Sequence, residues 1–387
     1  MKIGFFTDSY VPQANGVATS VSSLTQELEV LGQSIYTFAP KMGDFVDRQM
    51  NVYRILSVRY MKNPPYYLAT PVSVKSLRKI RRLRLDVIHV HTPLSMGAIA
   101  YQAAKMYRLP LVYTYHTLMS EYVHYVRIGG KMVIPTKTAI RLANAASAFT
   151  CNLCDHIIAP SEKVKELLLR YGVKRPITVI HNGVQIERFR VGRKGYLRHR
   201  LGLTEEQRIL LFVGRLGLEK NPEFILRAFV YILDLLPSVH LILVGDGYAR
   251  ASLELLAREL GIAQRVTFAG SIPYQDMPLV YADASLFVSA STSEVHPMAI
   301  LEALASGLPV VAVWDKALDS AVVDGVNGYF VEPDERQFAE KVAMVLQDSA
   351  RWQEMSQNSL HISQRFSIRA QARRLTEVYE QVCNQAR

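Results

Sequence analysis

The sequence is poor in cysteine, which limits the metal and redox chemistry open to it. Its 387 residues include three cysteines, and Cys151 and Cys154 form one Cys-x-x-Cys motif without a second pair or a His-x-His cluster nearby. A structural zinc site needs four such ligands, so this motif does not complete one. We therefore predict no metal site and interpret these cysteines as packing residues in a reducing compartment, with a redox role as the alternative.

Long apolar segments are also missing. No run reaches the ~18 to 20 apolar residues that a transmembrane helix needs. The N-terminal MKIGFFTDSY has a short apolar run and an early Asp, so we expect a first strand there rather than a signal peptide. The overall composition, 49% hydrophobic and 20% charged, is typical of a globular protein and argues against a largely disordered one. We expect this protein in the cytoplasm.

Acidic residues are scarce in the first half of the chain. Residues 1–190 carry 25 Lys and Arg but only 11 Asp and Glu, whereas the rest carries 20 and 23, so the net charge of +11 comes from the first half. A basic half beside a nearly neutral one suggests that one domain meets an anionic surface. Nucleic acid, acidic lipid and phosphorylated ligands all fit this distribution.

Short apolar, β-branched runs alternate with helix-length segments along the chain. Such runs are typical of parallel strands covered on both faces. We predict strands at 2–8, 34–40, 51–56, 86–92, 111–116, 156–161 and 177–184, and then at 208–215, 239–247, 265–270, 284–291 and 309–314. Repeated strand–helix–strand units predict a doubly wound α/β sheet, formed twice.

The two series of strands predict two Rossmann-like domains. The first spans 1–190 and the second 191–365, with the charged segment 185–205 as the linker. A helix pattern follows the second domain, and we expect this segment, 366–387, to pack back on the first domain. Ligands of open parallel sheets bind beyond the carboxyl ends of the strands, so the residues that follow each strand are the candidates for function.

Two residues in the first domain stand at such positions. Gly16 follows the first strand and precedes a helix, where backbone N–H groups can approach a phosphate, although many α/β proteins need a glycine at this turn. His116 follows the fifth strand and can hydrogen-bond a substrate hydroxyl. The alternative for His116 is a capping or core histidine.

The second domain offers two cations and two carboxylates. Arg215 and Lys220 follow its first strand and lead into a helix, a placement that suits a diphosphate, although surface cations are usually only solvated. Glu294 and Glu302 flank the start of a helix and could hold two sets of sugar hydroxyls. Two acids on a helix more often form a solvated face, but the apolar surroundings here favour a ligand or partner.

In this order and at these spacings, the residues resemble the retaining glycosyltransferases of family 4, which have the GT-B architecture of two Rossmann-like domains facing across a cleft. The resemblance covers essentially the whole chain. It rests on Asn15-Gly16, His116, HNGV at 181–184, Gly214-Arg215 with Lys220, and Glu294 with Glu302. Within the family, segment 92–126 looks like that of enzymes that glucosylate diacylglycerol.

The resemblance implies transfer of a hexose, glucose, from a nucleotide diphosphate sugar such as UDP-glucose, with retention and without a metal or other cofactor. Arg215 and Lys220 would neutralise the leaving diphosphate together with Gly16. Glu294 would hold the donor sugar, Glu302 the ribose, and His116 would stabilise the sugar in the transition state. The chain departs from the family at Val295-His296-Pro297, where a glycine is usual, so His296 is a further candidate donor contact.

A cluster of cations in the first domain suggests how the acceptor is reached. Segment 73–86 places cations among apolar residues at roughly helical spacing, which predicts a basic amphipathic helix at an anionic membrane. We assign this surface and its surroundings to the acceptor, 1,2-diacylglycerol, at the inner face of the membrane. The candidates are Arg78, Lys79, Arg81, Arg82, Asn15, Tyr122 and His124. The alternative is a solvated surface helix.

Other functions explain less of the sequence. Nucleic acid would match the charge but not the sugar-gripping pattern. A nicotinamide-dependent dehydrogenase needs Gly-x-Gly-x-x-Gly, and the segment from Gly245 to Arg250 lacks the third glycine. Phosphatidylinositol, a polyprenyl-linked acceptor or a soluble glycan is the alternative acceptor. A non-catalytic sugar-nucleotide-binding relative is a further alternative, and no obligate protein partner is evident.

Overall fold

The structure is a computed structural model that describes residues 1–13, 15–47, 50–62, 65–70, 74–121, 136–190, 192, 194–291 and 293–386. Its contacts divide the chain into two compact units. Unit 1 contains Met1–Asn182 and Ile368–Arg387, and unit 2 contains Gly183–Ser367. Both units are α/β, as the alternation of strand and helix signals predicts.

Unit 1 is built around a parallel sheet of seven strands. Its described strands are β1 (Lys2–Phe6), β2 (Ser34–Pro40), β3 (Val52–Ile55), β4 (Ser57–Lys62), β5 (Pro65–Ala69), β6 (Val87–Val90), β7 (Leu111–Thr114), β8 (His156–Ala159) and β9 (Ile177–Val179). Its helices before the chain enters unit 2 are α1 (Gly16–Val30), α2 (Val74–Leu83), α3 (Ser95–Tyr107), α4 (Thr136–Asn152) and α5 (Glu162–Arg170). The sheet order is β3-β2-β1-β6-β7-β8-β9, and β4 and β5 form a separate antiparallel pair.

Unit 2 repeats the design with a six-stranded parallel sheet. Its strands are β10 (Arg208–Val213), β11 (Val239–Val244), β12 (Val266–Gly270), β13 (Leu286–Ser289), β14 (Val310–Val313) and β15 (Gly328–Val331), in the order β12-β11-β10-β13-β14-β15. Its helices are α6 (Ile186–Arg190), α7 (Tyr196–Leu201), α8 (Pro222–Leu235), α9 (Arg250–Glu259), α10 (Met277–Asp283), α11 (Met298–Ala305), α12 (Glu335–Gln347) and α13 (Ser349–Ser363).

Two hydrophobic cores flank the sheet of unit 2, because successive side chains of a strand point to opposite faces. Leu210 and Phe212 of β10 belong to the core that α8 and α12 cover. Their neighbours Ile209 and Leu211 belong to the other core, with α10 and α11. Burial on both faces explains why these strands are continuously apolar in sequence.

The chain returns to unit 1 through a final helix, α14 (Ile368–Ala386). Its buried face includes Ala372, Leu375 and Tyr379, which join the core formed by α1 and the central strands of unit 1. This helix packs directly against α1. The C-terminal segment therefore contributes core side chains to a sheet whose strands lie about 200 or more residues earlier.

The structure confirms a strand at each of the twelve predicted places, and the predicted runs extend a few residues beyond most of them. The alternation did not reveal β15 or the hairpin of β4 and β5. The predicted linker at 185–205 instead contains α6 and α7. The predicted division at 190/191 also differs from the contacts, which assign 183–190 to unit 2 because α6 packs against α10 and α11.

Candidate active site

The chain order of each sheet reverses at one pair of strands. In unit 1 the reversal lies between β1 and β6, and in unit 2 between β10 and β13. Crossover connections leave in opposite directions at such a point, which opens a crevice beyond the carboxyl ends of the two strands. The residues that follow these strands include the candidates for the donor, whereas His116 follows β7, the neighbour of β6.

The loop after β10 is held against the loop after β11. The N–H of Gly214 donates to the carbonyl of Val244, and that of Leu216 donates to the carbonyl of Asp246, at 2.9 and 3.1 Å. Gly245 makes this approach possible, because its φ is +128° and a Cβ there would lie 1.9 Å from the carbonyl oxygen of Gly214. The position of Arg215 therefore depends on a backbone contact that only glycine permits.

Lys220 and Glu294 form the central contact of this site. The ammonium nitrogen of Lys220 lies 2.5 Å from a carboxylate oxygen of Glu294, and their side chains are 25% and 8% exposed. Arg215 stands at the start of the same loop, 40% exposed. The structure thus brings together, at the reversal between β10 and β13, the two cations and the first carboxylate that the sequence singled out.

Two further carboxylates hold this arrangement, and the sequence reasoning missed both. Glu219 is buried, its carboxylate lies 3.6 Å from the guanidinium of Arg215, and its backbone carbonyl accepts hydrogen bonds from Ser291 and Ser293. Asp315 accepts from the backbone N–H of Glu294 at 3.2 Å. Asp315 lies two residues past the end of β14, so reading every strand end could have found it.

Glu302 lies in a separate, buried environment. The helix that carries it, α11, begins at Met298 just after Pro297. The hydroxyl of Tyr281 donates to its carboxylate at 2.9 Å. Burial raises the pKa of Glu302 to about 7, although hydrogen bonds from Tyr281 and Tyr274 and the charge of Arg188 act in the opposite direction. Glu302 therefore titrates near neutral pH, unlike an ordinary surface glutamate.

His296 belongs to the segment Val295-His296-Pro297, in which the resemblance implies a glycine. Its side chain is 4% exposed. Its Nε2 lies 3.4 Å from the hydroxyl of Ser320, and its ring centroid lies 5.5 Å from that of Phe366. These contacts hold the ring of His296 within unit 2. A sugar that contacts His296 must therefore approach the ring in this packed position.

In unit 1, His116 forms part of a stack of histidines. Its Nε2 lies 3.2 Å from Nδ1 of His91, and the two rings are nearly parallel with centroids 5.4 Å apart. Burial lowers the pKa of His116 to about 4, so the imidazole is neutral at physiological pH. His91 follows β6 and so lies at the reversal in unit 1, and the sequence reasoning did not select it.

The loop after β1 begins with a buried carboxylate. Asp8 accepts hydrogen bonds from the hydroxyls of Thr92 and Ser95 and from the N–H of Met96, so it caps the start of α3. Burial raises the pKa of Asp8. Asp8 thereby joins the end of β1 to the segment that follows β6.

Asn15 and Gly16 form the start of α1. The side chain of Asn15 accepts from the N–H of Ala18 at 3.0 Å, the usual N-cap interaction, and Gly16 is the first helical residue and is exposed. The positive end of a 15-residue helix therefore lies at the end of β1. An anion could approach Gly16 there without displacing a side chain.

Comparison with known proteins decides the family. Residues 14–188 match the family described as Glycosyltransferase Family 4, and residues 195–361 match Glycosyl transferases group 1. The chain belongs to glycosyltransferase family 4. The α-monoglucosyldiacylglycerol synthase of Streptococcus pneumoniae R6 is 35% identical over 86% of this chain and 76% of its own length. The synthase of the same name from Acholeplasma laidlawii is 30% identical over 87% and 86%.

A solved structure shares the fold of this family 4 glycosyltransferase along its length. Anabaena HepE in complex with UDP-glucose superposes with a TM-score of 0.77 over 98% of this chain and 100% of that one, at 22% identity. The architecture is therefore GT-B, as the resemblance implied. At this low identity, the likeness shows a shared fold and does not show that the two proteins bind the same ligands.

The basic segment of this glycosyltransferase forms the predicted helix, α2. Arg78, Lys79, Arg81 and Arg82 are exposed, whereas Ile80 is 1% exposed. The apolar side of the helix is therefore used for packing within unit 1, and its cationic side faces outward. Tyr122 and His124, the other predicted acceptor contacts, lie outside the described residues.

Clustered metal ligands and membrane-spanning helices are both absent from the described residues. Nowhere among them do three or more His, Cys, Asp or Glu side chains cluster in a way that could hold a metal ion. None of the helices in the same part of the chain combines the length and the apolar character that crossing a membrane requires. Cys151 and Cys154 are buried free thiols, and burial raises the pKa of both.

Proposed function

We propose that this glycosyltransferase transfers glucose from UDP-glucose to 1,2-diacylglycerol, with retention at the anomeric carbon and without a metal ion. The observation that carries the proposal is the group formed by Arg215, Lys220 and Glu294 at the reversal of the second sheet. The two cations, of which Arg215 also lies beside Glu219, and the carboxylate of Glu294 match a donor that joins a diphosphate to a polyhydroxylated ring. The UDP-glucose complex of HepE supports the choice of donor.

In the proposed donor complex, Lys220 exchanges its partner. A diphosphate oxygen takes the place of Glu294 beside the ammonium, and the carboxylate then accepts hydrogen bonds from sugar hydroxyls. Arg215 offers two further N–H donors to the diphosphate. Glu302 contacts the ribose, and Gly16 presents backbone N–H groups at the start of α1. These cations supply the charge that a metal ion supplies in other enzymes.

The proposed reaction is a displacement on one face of the sugar. The bond between C1 and the β-phosphate oxygen breaks, and a bond from the acceptor hydroxyl oxygen to C1 forms on the same face. The acceptor proton moves to the departing phosphate, so no protein nucleophile is required. His116, neutral because burial lowers its pKa to about 4, stabilises the sugar by hydrogen bonding. The α configuration in the names of both relatives supports retention.

The acceptor is proposed from the relatives and from the surface of unit 1. Both relatives are named for the synthesis of monoglucosyldiacylglycerol. The outward cations of α2 attract anionic lipid, each by about 1 kcal/mol near a membrane surface. The ammonium nitrogen of Lys79 lies over the ring of Tyr53 on β3, 4.3 Å from its centroid. Just after β3 in the chain, the apolar side chains of Leu56 and Val58 are 70% and 66% exposed. We therefore propose peripheral binding at the cytoplasmic face of the membrane.

The test is transfer of labelled sugar from UDP-glucose, UDP-galactose and GDP-mannose to diacylglycerol in anionic vesicles, with and without EDTA. We expect an α-linked glucolipid from UDP-glucose, unaffected by EDTA and absent in Glu294→Ala and His116→Ala. Glu332→Ala is the matched control, because Glu332 also follows a strand of the second sheet but stands at its edge, after β15. Transfer to a water-soluble acceptor without any dependence on vesicles would refute the lipid acceptor.

A further inference from the structure

Three imidazoles lie next to one another in unit 1, that of His89 within β6 and those of His91 and His116 just beyond β6 and β7. The ring of His89 lies 4.1 Å from that of His91, and the ring of His91 lies 5.4 Å from that of His116, centroid to centroid. The function proposed above uses only His116. His89 and His91 are buried, at 0% and 2% exposure. Buried polar side chains normally have hydrogen-bond partners.

His89 has a partner for each of its nitrogens. Its Nδ1 lies 2.6 Å from the hydroxyl of Tyr379 on α14, and its Nε2 lies 2.7 Å from the hydroxyl of Thr114 on β7. His89 therefore makes no hydrogen bond to the other two rings, and its fixed ring lies beside that of His91 at an interplanar angle of 36°. The edge of Phe5 confines His91 further, with ring centroids 4.6 Å apart.

Among the described residues, the ring nitrogens of His91 have one hydrogen-bond partner, which is His116. Nδ1 of His91 lies 3.2 Å from Nε2 of His116, while Nε2 of His91 is buried without a hydrogen-bond partner in the part of the chain that the structure describes. Burial, with smaller contributions from His89 and His116, lowers the pKa of His91 well below its ordinary value. Both rings are therefore neutral at pH 7, and each carries a single N–H.

Two tautomer pairs satisfy the contact, and they differ at the unpartnered nitrogen. If His116 donates, His91 must carry its proton on Nε2, where a buried N–H finds no acceptor. If His91 donates from Nδ1, Nε2 carries only a lone pair. Unpaired buried N–H groups are the rarer defect in folded proteins, so the second arrangement is favoured.

We infer that His91 is a positioning residue that donates its Nδ1–H to Nε2 of His116 and so fixes His116 as the Nδ1–H tautomer. The inference rests on the proposed function, because it specifies whether His116 donates or accepts a hydrogen bond in its proposed role. With Nε2 occupied, His116 cannot take a proton there and instead offers an N–H donor from Nδ1. A donor suits an imidazole that stabilises sugar oxygens rather than one that acts as a base.

The test combines histidine tautomer measurement with matched variants. Long-range ¹H–¹⁵N correlation spectra of ¹⁵N-histidine-labelled protein identify the tautomer of each ring, and His116→Ala assigns the signal. His91→Asn keeps an N–H donor near the position of Nδ1, His91→Gln moves it outward, and His91→Leu removes it. His156→Asn is the control, because His156 is equally buried in the same sheet but is bonded to Thr178.

We expect His116 to be the Nδ1–H tautomer in the wild type and in His91→Asn, and a mixture of tautomers in His91→Leu. The kcat should fall about 10- to 100-fold in His91→Leu and His91→Gln, by analogy with the loss of partners that orient metal-binding histidines. It should fall less than about 5-fold in His91→Asn and His156→Asn, which keep the hydrogen bond to His116. Thermal melting establishes that each variant is folded.

Two results would overturn the inference. One is an Nε2–H tautomer for His116 in the wild type. The other is an unchanged tautomer in His91→Leu with equal losses of kcat in all three His91 variants, which indicates packing alone. The tautomer readings in both results are independent of the proposed function. If the tautomers follow the inference while His116→Ala retains full transferase activity, the positioning holds and the proposed role of His116 fails.

Discussion

The ammonium nitrogen of Lys220 lies 2.5 Å from a carboxylate oxygen of Glu294. The residues assigned to the donor diphosphate and to the donor sugar therefore neutralise each other when no donor is bound. Neither side chain is fully exposed, and removal of one partner of such a pair leaves the other charge uncompensated. The two residues should thus behave as one unit in binding and in stability.

Replacement of Lys220 by methionine should lower kcat/KM for the donor by roughly 10²- to 10³-fold, because a charge directed at the diphosphate is lost. Lys220→Arg, which keeps the charge, should lose less. The double variant Lys220→Met/Glu294→Gln should lose less than the sum of the single losses, because the residues are coupled. Steady-state kinetics and calorimetric titration of UDP measure these effects.

Lys341→Met serves as the control, because Lys341 is a cation of the same unit that lies over the ring of Tyr329. An unchanged dissociation constant for UDP in Lys220→Met would show that Lys220 does not contact the diphosphate. Strictly additive losses in the double variant would contradict the exchange of partners.

The pKa of Glu302 predicts how stability depends on pH. Burial raises this pKa from 4.5 to about 7, so the folded protein holds the proton more tightly than the unfolded chain. Below pH 4.5, Glu302 therefore does not reduce the free energy of unfolding. As pH rises from 4.5 to 7, this free energy falls, and above pH 7 it is lower by about 3 kcal/mol. Glu302→Gln, which mimics the protonated side chain and can still accept from Tyr281, should remove this decline.

Urea unfolding of both proteins between pH 5 and pH 8.5 measures the effect. We expect the variant to gain stability relative to the wild type as pH rises, and the two to converge near pH 5. A difference that stays constant across this range would mean that Glu302 keeps an ordinary pKa. Glu332→Gln, at an exposed glutamate, provides the baseline.

The sequence predicted best those features in which burial or charge requires a particular class of residue. Parallel strands buried on both faces need continuous apolar runs, so all twelve predicted strands exist. The rule that ligands bind beyond strand ends led to Arg215, Lys220 and Glu294 for the same reason. Their meeting could not be predicted, because the register of β10 beside β13 depends on the packing of the whole unit.

The supporting residues were harder to predict because their partners are distant in sequence. Tyr281 lies 21 residues from Glu302, and Tyr379 lies 290 residues from His89. Asp315 follows a strand and Glu219 stands four residues after Arg215, but nothing in the sequence shows that Asp315 accepts from the backbone of Glu294, 21 residues away. His91 is part of an apolar strand pattern, where a histidine carries no signal of its role.

Gly245→Ala should displace the loop that carries Arg215. The added Cβ would lie 1.9 Å from the carbonyl oxygen of Gly214, and φ of +128° is already unfavourable for alanine. We expect a loss of at least about 3 kcal/mol in the free energy of unfolding, together with weaker UDP binding.

Gly261→Ala is the control that separates the effect of the close Cβ contact from the effect of a positive φ. Gly261 has a φ of +73° and no atom within 4 Å of the position of a Cβ, so alanine there should cost only about 1 kcal/mol and leave UDP binding unchanged. Urea unfolding and calorimetry compare the two variants. Equal losses in both would mean that the close approach of the two loops is unimportant.

The outward cations of α2 should determine binding to anionic vesicles. Neutralising Arg78, Lys79, Arg81 and Arg82 to glutamine should weaken partitioning onto phosphatidylglycerol vesicles by two to three orders of magnitude, because each cation contributes about 1 kcal/mol near the surface. Ile80 keeps the helix packed, so the fold should be preserved. The effect should shrink at high salt, since surface charges are screened.

The matched control neutralises four exposed cations elsewhere, namely Arg170, Lys174, Arg200 and Arg258. It makes the same change in net charge, so a purely global attraction would weaken both proteins alike. We expect the control to sediment with vesicles nearly as well as the wild type, and the α2 variant to remain in the supernatant while keeping its affinity for UDP. Equal losses would assign membrane attraction to net charge, and no loss in either would remove α2 from the proposed acceptor surface.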